Sequence, residues 1–378
     1  MDTQNTLVIN GMELEFSPGE TILEVARRNS IDIPTLCHLK GATPTGQCRI
    51  CVVEVEGARS LVASCAAPAG KGMRVKTESP KVVEARKLIL QLMLSSGNHN
   101  CAVRVSDHDE GWSGFQLDVN AYDGTDELCP AWGECELQHL AYRYQVSAER
   151  FPRAETPYPM EDVNPFIVRD FSRCINCGRC VQACNDVQVN NAISFGYRGA
   201  TTKIVAAGDV PLKDSDCVFC GECVQACPVA ALVEKDARYR VRPWETETVR
   251  TTCTYCGVGC QMNLHVKDGK VVKVSGYPEV APNHGSLCVK GRFGFDFIAS
   301  EERLTSPMIK ENGQFREASW EEAVGFVADK LNGIKKDHGA DSIGVLTSAR
   351  VSTEENYIAN KFARAVIGTN NIDHCARL

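Results

Sequence analysis

No stretch of the 378 residues approaches the ~20 consecutive apolar positions that a bilayer-spanning helix needs, which excludes such a span. The opening residues, Met1-Asp2-Thr3-Gln4-Asn5, offer neither a positive n-region nor an apolar h-region. Arg27-Arg28 falls inside a helical pattern and reads as a solvated face, not an export signal. A reducing cytoplasm is therefore the expected compartment. Positive charge is also short. Lys and Arg number 41 against 48 Asp and Glu, a net charge of −7, and no basic block or stripe stands out. That argues against nucleic acid as a partner. The length allows two to four domains, and 43% apolar residues are enough for packed cores.

Cysteine is abundant. Nineteen of the 20 fall into five groups. The first is Cys37, Cys48, Cys51 and Cys65. The second is Cys101, Cys129 and Cys135, with His99 close by. The third is Cys174, Cys177, Cys180 and Cys184. The fourth is Cys217, Cys220, Cys223 and Cys227. The fifth is Cys253, Cys256, Cys260 and Cys288. Only Cys375 is left over. A reducing compartment disfavours disulfides and favours metal ligation. Zinc sites usually pair two Cys-x-x-Cys motifs separated by a dozen or so residues. The third and fourth groups are instead Cys-x2-Cys-x2-Cys-x3-Cys runs. Three closely spaced thiolates wrap one face of a cubane, and the fourth ligand comes from elsewhere.

Residues 1–80 read as a small α+β module. Leu7-Val8-Ile9 and Leu14-Glu15-Phe16 flank Asn10-Gly11, a hairpin signal. Thr21 can cap a helix to about Arg28, and Val52–Val55 is strand-like. The first cysteine group lies in the loops between these elements and is expected to hold a [2Fe–2S] cluster, although its spacing departs from the plant-type pattern. Residues 81–150 begin with a helix capped by Ser79 and started by Pro80, with Val82, Ala85, Ile89, Leu92 and Met93 on its expected core face. His99, Cys101, Cys129 and Cys135 follow and are read as a three-thiolate, one-imidazole [4Fe–4S] site. His108 and His139 are alternative imidazoles.

Residues 151–245 contain an internal repeat, Cys174-Ile175-Asn176-Cys177-Gly178-Arg179-Cys180-Val181-Gln182-Ala183-Cys184 against Cys217-Val218-Phe219-Cys220-Gly221-Glu222-Cys223-Val224-Gln225-Ala226-Cys227. In two-cluster ferredoxins the fourth cysteine of each run serves the other cluster. The expected sets are therefore Cys174, Cys177, Cys180 with Cys227, and Cys217, Cys220, Cys223 with Cys184. Pro228 follows the second run, whereas Asn185 follows the first. Residues 246–305 hold the fifth group, a further [4Fe–4S] site, with a hairpin expected around Asp268-Gly269. From 306 to 378 the pattern turns α/β. Ser319-Trp320-Glu321-Glu322 and Ser352-Thr353-Glu354-Glu355 are capping boxes, and Ile343–Leu346 is expected as a buried strand. The first of these helices has Ala323, Val324, Val327 and Leu331 on one face. Too little of the α/β pattern is present for a doubly wound sheet.

These motifs carry a resemblance. The first three modules resemble the amino-terminal arm shared by the large iron–sulfur subunit of respiratory complex I and by [FeFe] hydrogenases. Cys253-Thr254-Tyr255-Cys256-Gly257-Val258-Gly259-Cys260 resembles the opening of molybdenum or tungsten bis-pterin oxidoreductases. The stretch from Lys361 to Leu378 is similar to the segment that leads into the catalytic selenocysteine or cysteine of formate dehydrogenases. The resemblance as a whole is to the catalytic subunit of a multi-subunit, NAD(P)-linked formate dehydrogenase. It implies a multidomain α+β iron–sulfur protein made of a β-grasp [2Fe–2S] ferredoxin, a His/Cys3 helical segment, a two-cluster bacterial ferredoxin, a [4Fe–4S] module and the start of an α/β bis-pterin domain. It implies one [2Fe–2S] and four [4Fe–4S] clusters, and a bis(pterin guanine dinucleotide) metal centre in the full-length enzyme. It also implies formate and carbon dioxide as substrate and product. The implied partners are flavin- and NAD(P)-binding iron–sulfur subunits, a hydrogenase or a ferredoxin-linked complex. Lys290 would lie between the last cluster and a pterin. The sequence would stop one residue before the catalytic chalcogen, at a selenocysteine codon read as stop, and residues 1–378 alone would not turn over formate. The competing reading is an iron–sulfur subunit of a complex I-like dehydrogenase, or a non-catalytic electron-transfer subunit of a hydrogenase complex.

Overall fold

The computed structural model describes residues 5–99, 129–146, 150–152, 154–155, 157–278 and 280–374. They fall into two compact units, Met1–Thr246 and Glu247–Leu378. Cys101, His108 and Cys375 lie outside the described residues.

The first unit opens with β1 (Thr6–Ile9) and β2 (Met12–Glu15), paired Leu7 to Leu14 and Ile9 to Met12. The turn residues Asn10 and Gly11 have φ of 52° and 87°, the two positive values that a type I′ hairpin demands. Leu7 and Ile9 point inward with period two. Helix α1 (Ile22–Arg28) starts at a complete capping box between Thr21 and Glu24. Strands β3 (Val52–Val55), β4 (Val62–Ala63) and β5 (Arg74–Lys76) complete a five-stranded sheet of order β2-β1-β5-β3-β4, in which β1 and β5 are parallel and the other pairs antiparallel. Ile22, Leu23, Val25 and Ala26 pack with Leu7, Ile9, Val53 and Val75, and the thiols of Cys51 and Cys65 belong to this same core.

Helix α2 (Pro80–Ser95) is capped by Ser79, whose Oγ accepts from the Val82 amide. Its buried face corrects the stripe expected from the sequence. Val82, Arg86, Leu90 and Leu94 are buried, whereas Leu92 is exposed. The four form an i, i+4 row. A periodicity search skips it because one member is charged. Arg86 is tolerated there because each nitrogen of its guanidinium is hydrogen-bonded to protein. Leu90 and Leu94 join a second core with Leu36, Ile50, Val229 and the inner face of α3 (Glu136–Tyr144). This core also contains Cys37, Cys48, Cys135 and Cys177, so it draws on three of the expected modules at once.

Beyond residue 157, β6 (Ile167–Arg169), β7 (Ile193–Gly196), β8 (Lys203–Ala206) and β9 (Leu232–Glu234) form two antiparallel pairs, β6 with β9 and β7 with β8. Helices α4 (Arg179–Gln182) and α5 (Glu222–Ala226) are only four and five residues long. The internal repeat recurs in the backbone. Asn176 and Phe219 have positive φ, and Gly178 and Gly221 open the two helices at φ of 79° and 72°. The helices end differently. After α4 the chain continues as a π turn, Ala183–Val187, whereas Pro228 cannot extend α5 past Cys227.

In the second unit, β10 (Glu247–Thr252), β11 (Gln261–Lys267) and β12 (Lys270–Gly276) make an antiparallel sheet turning at Asp268-Gly269. Helix α6 (Val289–Phe293) follows, then the hairpin β13 (Met308–Glu311) and β14 (Gln314–Glu317). Helix α7 (Trp320–His338) is capped by Ser319, but Glu322 is engaged by Arg316 and does not close the expected box. Helix α8 (Thr353–Lys361) has its complete box from Ser352 and Glu355. Strand β15 (Val345–Thr347) pairs in parallel with β16 (Ile372–His374). The sequence places Ala323, Val324, Val327 and Leu331 on one apolar face of α7 and reads 343–346 as a buried strand. Ile343 is buried, but Val324, Val327 and Leu346 are exposed. Parallel strands are ordinarily covered on both faces. A two-stranded sheet is too small to cover these helices. No helix among the described residues is long and apolar enough to cross a membrane.

The corrected face of α2 is testable. Leu90→Ala is expected to cost about 2–5 kcal/mol of unfolding free energy. Leu92→Ala should stay within about 0.5 kcal/mol. Denaturant unfolding measures both, and equal losses would restore the face read from the sequence.

Candidate iron–sulfur sites

The first cysteine group is drawn together by the loops that leave the five-stranded sheet. Positive φ at Gly46 and Arg49 folds the 46–51 segment back on Cys37. All four thiols are buried. The Cys48 amide donates to Cys37 Sγ at 3.4 Å, and Cys51 Sγ lies 3.3 Å from Cys65 Sγ. Hydrogen bonds from Cys48 and then Cys65 hold the Cys37 thiol far below its ordinary range, and one from Cys65 lowers Cys51 to about 6. Cys48 and Cys65 are pushed up by the same contacts and by burial.

Of the second group, Cys129 and Cys135 are buried and His99 is half-buried. Cys135 caps α3, its Sγ accepting from the Gln138 amide at 3.4 Å. Burial pushes the Cys129 thiol up, and the guanidinium groups of Arg173 and Arg242 oppose that rise. Arg242 Nη1 donates to the Cys129 carbonyl at 2.6 Å. The His99 segment packs on the 3-10 turn Phe171–Arg173 leading to Cys174, where the Asn98 amide donates to Ser172 O at 2.7 Å. The alternative imidazole His139 is exposed on α3. The fourth expected member, Cys101, lies outside the described residues.

The third and fourth groups share one cavity. All eight thiols line it, together with apolar side chains such as Ile167, Ile193, Ile204, Leu212 and Leu232. Burial pushes Cys174 up to about 11 and Cys177 to about 12, and raises Cys180, Cys217, Cys223 and Cys227 as well. Cys227 lies close enough to act electrostatically on Cys174, Cys177 and Cys180, and Cys184 on Cys217 and Cys223; Cys223 of the second run is also reached by Cys227 and itself reaches Cys180. Helix α4 is tied outward in two directions. Gln182 Nε2 donates to Thr43 O at 2.6 Å, and Arg179 pairs with Glu136 at 2.6 Å, beside Cys135.

The fifth group sits on the loop between β10 and β11 and on the segment before α6. The Cys253 amide donates to Cys260 O at 2.8 Å, and Asn283 bonds both Gln261 and the Ser286 carbonyl, which brings Cys288 toward Cys260. Cys253 and Cys260 are raised by burial, and Cys288 acts on both. Gly291 of α6 faces Cys253 Sγ, where a Cβ would make an ordinary van der Waals contact at 3.5 Å. Cys288 and Lys290 are exposed.

The donor chemistry fits iron–sulfur groups. The thiols are soft, half of those described are buried, and in the first, third, fourth and fifth groups they come in fours. Among the described residues no three His, Cys, Asp or Glu side chains converge on one ion position. The thiols of the third and fourth groups stand around a space instead. What the sequence did not reveal is a set of buried arginines, Arg86, Arg169, Arg173, Arg242 and Arg292, most of them beside these thiols. Only the i, i+4 row of α2 could have betrayed one.

Comparison with known proteins agrees with this picture. Residues 2–80 match a 2Fe-2S iron-sulfur cluster binding domain and residues 173–231 a 4Fe-4S dicluster domain. Residues 246–300 match the molybdopterin oxidoreductase Fe4S4 domain and residues 303–378 molybdopterin oxidoreductase. The NADPH-Fe(3+) oxidoreductase subunit alpha of Geobacter sulfurreducens is 36% identical over 373 residues, covering 99% of this chain and 40% of that protein. The formate dehydrogenase-like protein YrhE of Bacillus subtilis (strain 168) is 33% identical over 419 residues, covering 100% of this chain and 40% of that protein. The crystal structure of an NAD+-reducing [NiFe]-hydrogenase in the H2-reduced state aligns with a TM-score of 0.53 at 30% identity, over 63% of this chain and 90% of that one. The chain spans about 40% of the length of the curated relatives it matches. It is a multidomain iron–sulfur protein with [2Fe–2S] and [4Fe–4S] domains and the start of a molybdopterin domain, homologous to formate dehydrogenase-like and NADPH-Fe(3+) oxidoreductase subunits.

The shared cavity generates a test of ligand exchange between the runs. Cys227→Ser is expected to perturb the same EPR signal as Cys174→Ser, and Cys184→Ser the same signal as Cys217→Ser. If Cys227→Ser instead tracks Cys217→Ser, each run serves its own cluster.

Proposed function

We propose that this chain is the electron-transfer arm, and the opening of the catalytic domain, of a formate dehydrogenase that interconverts formate and carbon dioxide with a flavin- and NAD(P)-binding partner. The observation that carries the reading is the eight-thiol cavity, continuous through α4 with the first and second cysteine groups. When bound, iron–sulfur groups supply one-electron carriers, and a metal–pterin group supplies the two-electron centre.

The residues would divide the work as follows. Cys37, Cys48, Cys51 and Cys65 hold a [2Fe–2S] group. His99, Cys101, Cys129 and Cys135 hold a [4Fe–4S] group. Cys174, Cys177 and Cys180 act with Cys227, and Cys217, Cys220 and Cys223 with Cys184, in two more. Cys253, Cys256, Cys260 and Cys288 hold the last. Cys227 acts on all three thiols of the first run and, in its own, on Cys223, and Cys184 acts on Cys217 and Cys223, which supports that pairing. Lys290, exposed on α6 two residues past Cys288, would offset the charge of the neighbouring thiolates and, when a pterin is bound, would stand between it and the last cluster. Burial keeps water from the thiols of the first group and from Cys129, Cys135, Cys177, Cys180 and Cys253, which favours electron over proton chemistry at them.

A second reading, an electron-transfer subunit of a hydrogenase or complex I-like assembly, draws on the likeness to the NAD+-reducing hydrogenase. The molybdopterin matches at 246–300 and 303–378 favour a molybdopterin enzyme over it. Formate added to the complex captured anaerobically through a tag on this chain is expected to bleach the visible cluster absorbance. Bleaching by hydrogen or NADPH, with none by formate, contradicts the proposal.

A further inference from the structure

Arg86 is fully buried, yet it is not part of any expected cluster ligand set. Its guanidinium reaches the loop of the first cysteine group from α2. Nε donates to the Ile50 carbonyl at 3.1 Å and Nη2 to the Val52 carbonyl at 2.8 Å. The carbonyl between them, that of Cys51, accepts from Ser64 Oγ at 2.8 Å. Three consecutive carbonyls around one candidate ligand are therefore each held by a donor. Arg86 Nη1 donates to the Tyr144 hydroxyl and to Glu78 Oε1, both at 2.7 Å. Tyr144 ends α3, the helix that Cys135 caps. One side chain thus joins the loops of two cysteine groups. Glu78, half-exposed, is also met by Arg143, which pairs in turn with Asp32.

We propose that Arg86 is a positioning and charge-setting residue of the Cys37/Cys48/Cys51/Cys65 site, fixing the Cys51 backbone and raising the reduction potential of the group held there. The inference rests on the reading of that site as a [2Fe–2S] centre. The physical reason is electrostatic. Accepting an electron adds negative charge to an already anionic thiolate-bound group, and a guanidinium removed from water favours the more negative form. Water is excluded from Arg86, so this influence is screened less than that of a surface charge. The fork also requires Arg, since Lys cannot reach two carbonyls in fixed geometry.

The test is an EPR-monitored redox titration of the full chain carrying its clusters, with dithionite as reductant. R86Q removes the charge and is expected to shift the midpoint of the [2Fe–2S] signal downward. R86K keeps the charge and should return it most of the way. E78Q removes the counter-charge from the half-exposed side of the network, where folding is least at risk, and should shift the midpoint upward. Opposite signs for R86Q and E78Q distinguish a field effect from structural damage, which would move both variants the same way. A retained [2Fe–2S] signal with midpoints unshifted, or shifted in one direction by both variants, overturns the proposal alone. Absence of a [2Fe–2S] signal from the unmodified chain overturns the reading of the site, and the proposal with it.

Discussion

Burying thiols around an apolar space is the constraint on which this chain depends. The cavity between α4, α5 and the two short strand pairs is lined by eight of them, and burial raises most of them above their ordinary range. Elsewhere a core of this size would be filled with leucine and isoleucine. Two-stranded sheets and helices of four or five residues have little stability of their own. Free energy of ligand binding is folding free energy in such a site. On the proposed reading the thiols serve as the binding site as well as part of the core of residues 157–246.

The same constraint explains the buried arginines. Groups bound by four thiolates carry net negative charge, and removing them from water is costly unless cations accompany them. Arg173 and Arg242 act on Cys129, and Arg86 holds the carbonyls on either side of Cys51. Each is hydrogen-bonded to carbonyl or carboxylate oxygen, so each brings its charge inside without an unsatisfied donor set. The packing of three sequence modules around one core follows from these arginines and from α4, which is tied to Thr43 on one side and Glu136 on the other.

Much of this was legible in the sequence because it is local. The spacing of Cys174–Cys184 and its repetition at Cys217–Cys227 is a short-range geometric requirement, and so are the Asn10-Gly11 and Asp268-Gly269 turns and the caps at Thr21, Ser79 and Ser352. The features that were not legible depend on distant partners. Arg86 looks like a solvated position until Ile50, Val52 and Tyr144 are brought to it. Leu92 and Val327 look like core positions by period alone, but no neighbouring element covers them among the described residues. The imidazole of the second group stayed open in the sequence for a similar reason, since only the fold puts His139 on an exposed face.

The most direct test of the thiol core is amide hydrogen exchange on the anaerobically purified chain before and after removal of iron by a chelator. The account predicts equal molar iron and acid-labile sulfide before removal. It predicts that removal abolishes protection at Ile167–Arg169 and Leu232–Glu234 while the sheet around Leu7 and Ile9 keeps most of its own. Unchanged protection in iron-free protein, or zinc in place of iron and sulfide, would contradict it.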